Sequence, residues 1–347
     1  MSASVVSATA TTAEIDDLRK AWKDAAMAPL WENKFAHRPP APPEQSYLWS
    51  WEKIRPLIAG AIKVASPEAI ERRVLQLIPP GNDDYEWRQT TKTICTNLQV
   101  LLPGEKARPH RHSMNALRFV LEGSGATTVV DGKPCRMDEG DLVLTPAWTW
   151  HEHVHEGTGP IIWLDALDVP LHHYLGTGAF QPGPVGEPPE TVPDDAFAAA
   201  SVLPDVTYTT KAYSPVFRYP YGPVAAAVAA APLARDGSRR VRYVNPLTGG
   251  TAMELIDSFL VQLDPGMTTL PFRTNANSVC CVIEGEGESE VGGKTVAWRK
   301  RDIFTLPQGN RIVHKSTGGT ARLFVVSDRD MFARLGLLKE EYGNLAA

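Results

Sequence analysis

Two parts of this chain are copies of one another, and that duplication limits the fold more than any other feature. The segment LLPGEKARPHRHSMNALRFVLEG (101–123) runs without a gap against the segment ending in SVCCVIEG (263–285). Gly104 falls on Gly266, and Glu122-Gly123 falls on Glu284-Gly285. Beyond these, Gly125 matches Gly287, and after one deletion Asp141 and Pro146 match Asp302 and Pro307. Upstream, ERRVLQLIPP (71–80) echoes SRRVRYVNPL (238–247). An ordered set of this kind marks an internal repeat. Within each copy, short β-branched segments bounded by Gly or Pro recur about every ten to fifteen residues, the rhythm of an all-β barrel or sandwich.

The flanking segments have a different character. Thr11 and Glu14 have capping-box spacing, and Ile15, Leu18, Trp22 and Ala26 follow helical periodicity. A second helix is expected over 50–63 and a short one from Pro67. These readings divide the chain into a helical arm (1–70), a first β unit (71–178), a Pro/Gly-rich linker and connecting segment (179–238), and a second β unit ending in a helix (239–347). A net charge of -5 offers no basic field for nucleic acid. Four cysteines without CxxC spacing argue against a disulfide frame or a thiolate zinc site. With no signal-like N-terminus and no long apolar run, the expectation is a cytoplasmic protein that does not enter a membrane.

The histidines separate the two copies. Seven of nine lie between His110 and His173. In the second copy Phe272 stands for His110, Thr274 for His112 and Ile312 for His151. The barrel therefore does not need these imidazoles. Residues i and i+2 of a strand point to one face, so His110 and His112 can present two nitrogens to one point. His151 and His153, in WTWHEHVH, repeat that parity. Imidazoles from two strands can converge on a metal and leave coordination positions open.

The glycine-bounded HRHSMNALRFVLEG, followed by GDLVLTPAWTWHEH, resembles the cupin superfamily. With ERRVL and IIWLDALDVPLHHYL, the first unit resembles the bicupin gentisate 1,2-dioxygenases and their salicylate and 1-hydroxy-2-naphthoate relatives. The resemblance implies a mainly β bicupin with an N-terminal helical extension. It further implies Fe(2+) held by His110, His112 and His151, a small aromatic hydroxy acid and O₂ as substrates, and a homotetramer. Cupins usually add a Glu shortly after HxH, but Ser113 to Leu117 offer no carboxylate. The site would then stay at +2 and suit an anionic chelating substrate.

If the strand continues regularly, Met114, Ala116 and Arg118 share the face of the two histidines. Arg118 is read either as a fork for the substrate carboxylate or as a salt bridge to Asp165. Arg73, or Arg72 beside it, is the second candidate cation. The resemblance assigns His153 to orienting substrate or moving protons, with Asp165 in support. Met114, Cys95 and Asn97 stand where the family carries other residues, which points to a 5-substituted salicylate such as 5-nitrosalicylate, or to gentisate. The expected reaction opens the ring between the carboxyl- and hydroxyl-bearing carbons. Two alternatives are a zinc or nickel isomerase on the same fold and a metal-free storage or binding bicupin.

Overall fold

The computed structural model describes residues 11–33, 42–65, 70, 72–82, 88–199, 201–205, 211–343 and 345. The short helix expected from Pro67 lies outside them. The chain divides at Pro43 into two compact units. In the first, a helix spans Thr12–Asp24 with the capping box that the sequence announces: Thr11 Oγ1 accepts from the Glu14 N–H, and Glu14 accepts from the Thr11 N–H. Trp22 meets Trp31 edge to face, and Arg19 pairs with Glu32.

The second unit holds both β regions as two barrels, each made of a six-stranded and a five-stranded sheet. In the first barrel the six-stranded sheet contains Cys95–Leu101, Ala116–Glu122, Leu142–Thr145 and Ile161–Leu167. Its five-stranded sheet carries Lys106–His112 beside His151–His155. The second barrel repeats this plan with Asp257–Leu263, Ser278–Glu284, Ile303–Leu306 and Ala321–Ser327. The largest apolar cluster draws on both six-stranded sheets, and there Phe119 stacks on Phe324 at 4.0 Å. A separate apolar cluster fills each barrel's interior.

Three boundaries differ from the sequence reading. The arm does not reach residue 70: Leu48–Trp49 adds a strand to the second barrel, and the helix Trp51–Val64 starts there, its first N–H donating to Asp302 at 2.7 Å. Residues 179–238 are more than a linker. Phe180–Pro182 joins the first barrel's five-stranded sheet, and Arg218–Tyr219 joins its six-stranded sheet. The helix Tyr221–Ala230 then begins on Asp141, at 2.9 Å. Each edge strand thus precedes one barrel in sequence and pairs with the other, while the helix after it turns back: Arg55 pairs with Glu122 of the first barrel, and Tyr221–Ala230 packs on Arg239–Arg242 and Asp257–Leu263 of the second. The C-terminal helix is brief, Arg329–Arg334, and the strand Glu340–Tyr342 follows it.

Matching residues do matching work in the two copies. Asn115 donates through its backbone and side chain to Asp168 at 2.9 and 3.0 Å, and Asn277 does the same to Asp328 at 2.7 and 2.8 Å. The shared glycines make tight turns with positive φ, +91° at Gly123 and +77° at Gly285. A Cβ on Gly123 would lie 2.4 Å from the Pro160 carbonyl oxygen. The upstream Arg-Arg echo, in contrast, is one residue out of register. Val74 pairs with Gln99 and Arg240 with Val261, so Arg240 corresponds to Val74, and Arg239 to Arg73. Replacing Gly123 with Ala combines a left-handed backbone with a blocked Cβ. It is expected to lower stability by about 1–3 kcal/mol in a denaturant melt; an unchanged midpoint would show that the turn relaxes freely.

Candidate metal centre

His110 and His112 sit at the end of one strand and His151 at the start of its neighbour, with His110 directly opposite His151. All three are buried, and their ligand-capable nitrogens lie within 4.8 Å of one another. Each ring is tied back by Nδ1 to a backbone carbonyl two residues away. His110 uses Arg108 at 3.0 Å, His112 uses Met114 at 2.8 Å, and His151 uses Thr149 at 3.0 Å. A carbonyl can only accept, so Nδ1 carries the proton and Nε2 keeps the lone pair, the tautomer that a metal requires. Burial, aided by nearby Arg72, pushes His110 down to about 3, and burial pushes His112 down to about 4, so both stay neutral. The Nε2 of His151 is buried without a partner. An orphaned lone pair between two pinned imidazoles fits a divalent metal, and no carboxylate joins the set among the described residues.

A cavity of about 310 Å³ opens beside the centre. His112, Met114, Ala116, Arg118, Asn97 and Asp165 line it. This holds although the chain leaves strand geometry between His112 and Ala116. Arg118 and Asp165 are opposite each other on neighbouring strands, with Nε 3.4 Å from the carboxylate. Burial raises Asp165 to about 6 and lowers Arg118 to about 10, each offset in part by the other's charge. Arg118 also donates to Thr145 Oγ1 at 2.5 Å, which holds the guanidinium fixed. Arg118 is therefore salt-bridged to Asp165 and faces the cavity.

Three expected site residues lie elsewhere. Arg73 turns away from the cavity: Glu105 takes its guanidinium in a two-pronged pair at 2.9 Å, and the Ala65 carbonyl takes Nε. Arg72 lines the cavity instead, and its Nη1 lies 2.8 Å from His110 Nε2, the atom that a metal would engage. Cys95 is not part of the wall; its thiol packs against Asn97 Oδ1 at 3.6 Å. His153 is buried off the cavity, its ring 6.2 Å from that of His151 and its Nδ1 bonded to Thr128 at 2.8 Å. His314 repeats that bond in the second barrel, to Ser289 at 2.7 Å. The second copy thus lost the three clustered histidines but kept this one, a match that the sequence alignment already contains.

The sequence reading missed several wall residues. Gln99 lines the cavity with a buried Nε2 that has no partner. Val74 and Leu167 add apolar wall, and Phe180 stacks on His110 with ring centres 5.4 Å apart. Phe180 comes from the supposed linker, where nothing in local composition signals a strand.

The cupin domain family matches residues 97–167, the part of the first barrel that bears all three histidines. A gentisate 1,2-dioxygenase of Ralstonia sp is 36% identical, with the match covering 93% of each chain. A 5-aminosalicylate 1,2-dioxygenase of Comamonas sp is 33% identical over 94% of this chain and 90% of its own. The crystal structure of a salicylate 1,2-dioxygenase from Pseudaminobacter salicylatoxidans superposes with a TM-score of 0.87 at 28% identity, covering 96% of this chain and 99% of that one. With its two barrels, its histidine triad and relatives that match nearly end to end, this chain belongs to the bicupin 1,2-dioxygenases that cleave the rings of hydroxybenzoates.

Proposed function

We propose that the chain uses Fe(2+) and O₂ to open a 2-hydroxybenzoate carrying a 5-substituent between its carboxyl- and hydroxyl-bearing carbons. The observation that carries this reading is three neutral, backbone-pinned imidazoles beside a cavity that also holds two guanidinium groups. Fe(2+), when bound, would supply coordination positions for the substrate oxygens and for O₂, and a path for electrons between them. The triad alone suits several divalent metals; the ring-cleaving family favours iron over the zinc or nickel isomerase alternative. A metal-free storage role would leave the pinned tautomers without a purpose. The protein is expected to work in the cytoplasm as a homo-oligomer, a tetramer by resemblance.

The chain's own residues supply charge and shape. Arg118, held by Thr145 and Asp165, presents a fixed cation. Arg72 is the one that metal binding would displace. Its contact with His110 Nε2 must break before that nitrogen can bind metal, and the freed guanidinium can then clamp the substrate carboxylate. Met114, Leu167 and Phe180 enclose the ring and exclude water. The orphaned Gln99 Nε2 and the Asn97 amide offer hydrogen bonds to a polar ring substituent. His153, repeated as His314, is assigned to the barrel interior rather than to substrate.

Two measurements test this. After anaerobic loading with Fe(2+), oxygen uptake is expected with at least one of gentisate, salicylate, 5-aminosalicylate, 5-nitrosalicylate and 5-chlorosalicylate. His112→Ala should lose metal and turnover but keep its β-sheet circular dichroism. Oxygen uptake with none of the panel, or full turnover in the variant, would overturn the proposal. The two neighbouring arginines should also part company. Arg72→Ala is expected to raise KM about tenfold or more while retaining metal, as loss of a charge-assisted contact implies. Arg73→Ala should instead cost about 1.5–3 kcal/mol of stability by removing the charge-assisted hydrogen bonds to the half-buried Glu105. The reverse pattern would return the substrate role to Arg73.

A further inference from the structure

On the outer face of the ligand strand, between His110 and His112, the Arg111 guanidinium is held between two indoles. Its carbon lies 4.7 Å from the ring centre of Trp148 and 4.7 Å from that of Trp150. Gln181, from the neighbouring edge strand, accepts from Arg111 Nε at 2.9 Å. Trp150 immediately precedes the third ligand, His151. The Trp148 N–H donates to the carbonyl of the second ligand, His112, at 2.7 Å. One stack therefore joins the strand that carries two ligands to the turn that delivers the third.

Trp148 has a backbone conformation ill suited to its side chain. Its φ is +62°, in the left-handed region where a bulky residue is an outlier, and 43% of it is exposed. The second barrel shows what this turn adopts when it need hold no metal. There the equivalent residue is Gly309, with φ +81°, and its N–H donates to the Thr274 carbonyl at 2.7 Å, as Trp148 does to His112. Trp150 becomes Arg311, whose carbonyl keeps its partner: the Gly292 N–H donates to the Arg311 carbonyl at 2.9 Å, as the Asp131 N–H does to the Trp150 carbonyl at 2.7 Å. Arg111 becomes Arg273, which lies 3.9 Å from Glu341. The backbone scaffold is thus the same in both barrels, while both tryptophans and all three ligand histidines occur only in the first. A strained residue persists where its surroundings hold it for a purpose.

We infer that the Trp148–Arg111–Trp150 stack is a positioning clamp that sets, from outside the barrel, the spacing between His110, His112 and His151. Arg111 acts through the ligands and touches neither metal nor substrate. The inference rests on the reading that the triad holds a metal. Outer residues that orient ligands commonly alter metal affinity by about 10–100-fold.

The test is calorimetric titration of metal-free full-length protein with Co(2+), alongside thermal melts of the same metal-free samples. Trp148→Gly installs the residue that the second barrel uses. It should melt no lower than the parent, yet bind Co(2+) about tenfold more weakly. Arg111→Met should weaken binding to a similar degree. Arg111→Lys should recover part of the loss, because it keeps the cation but not the planar stack. Arg273→Met, the equivalent change in the second barrel, should leave affinity unchanged. Parental Co(2+) affinity in Trp148→Gly, a melt lowered in step with affinity, or an equal loss in Arg273→Met would each overturn the clamp. A parent that binds no Co(2+) would instead defeat the metal reading itself.

Discussion

Both barrels stand on the packing of their six-stranded sheets, in the cluster where Phe119 stacks on Phe324 and Leu117, Leu164, Val279 and Val326 close the surroundings. Large aromatic and aliphatic side chains buried here provide most of the stabilisation available to such a body. Exchange of edge elements reinforces the contact. Leu48–Trp49 pairs with the second barrel and Arg218–Tyr219 with the first, while the helix after each turns back to the barrel that follows it in sequence. With this framework carried by one sheet of each barrel, the five-stranded sheets are free to diverge. One carries the histidine triad. The other fills the same positions with Phe272, Thr274 and Ile312.

The chemistry of the first barrel follows from where protons are fixed. Three backbone carbonyls take three Nδ1 protons, and burial keeps the rings neutral. Neutral ligands leave the charge of a bound metal uncompensated, and Arg118 and Arg72 add to it. Asp165, itself raised to about 6 by burial, is the carboxylate on the cavity wall. An anionic substrate that chelates through two oxygens answers this excess of positive charge.

Much of this was legible in the chain, for physical reasons. Strand parity brings His110 and His112 to one point, and positive-φ glycines such as Gly123 and Gly285 fix the repeat. The loss of the triad in the second copy separates site from scaffold. Other features were not legible. Arg72 and Arg73 precede the short strand Val74–Gln76, and Glu105, in the turn before Lys106, decides which of them turns from the cavity. Pairing register alone shows that the Arg-Arg echo is displaced by one. Phe180 reaches the cavity from a segment whose Pro and Gly content reads as linker, because its strand order comes from the partner strand rather than from its own propensity. The persistence of His153 as His314 is visible in the alignment, and each bonds a hydroxyl on the neighbouring strand of its barrel.

The central claim is that one barrel of two carries the chemistry through a triad of histidines. Anomalous diffraction at the iron edge, from crystals grown with Fe(2+) under argon, tests it most directly. The account predicts one peak per chain, about 2 Å from the Nε2 atoms of His110, His112 and His151, and none in the second barrel. A peak in the second barrel, or none at the triad, would contradict it.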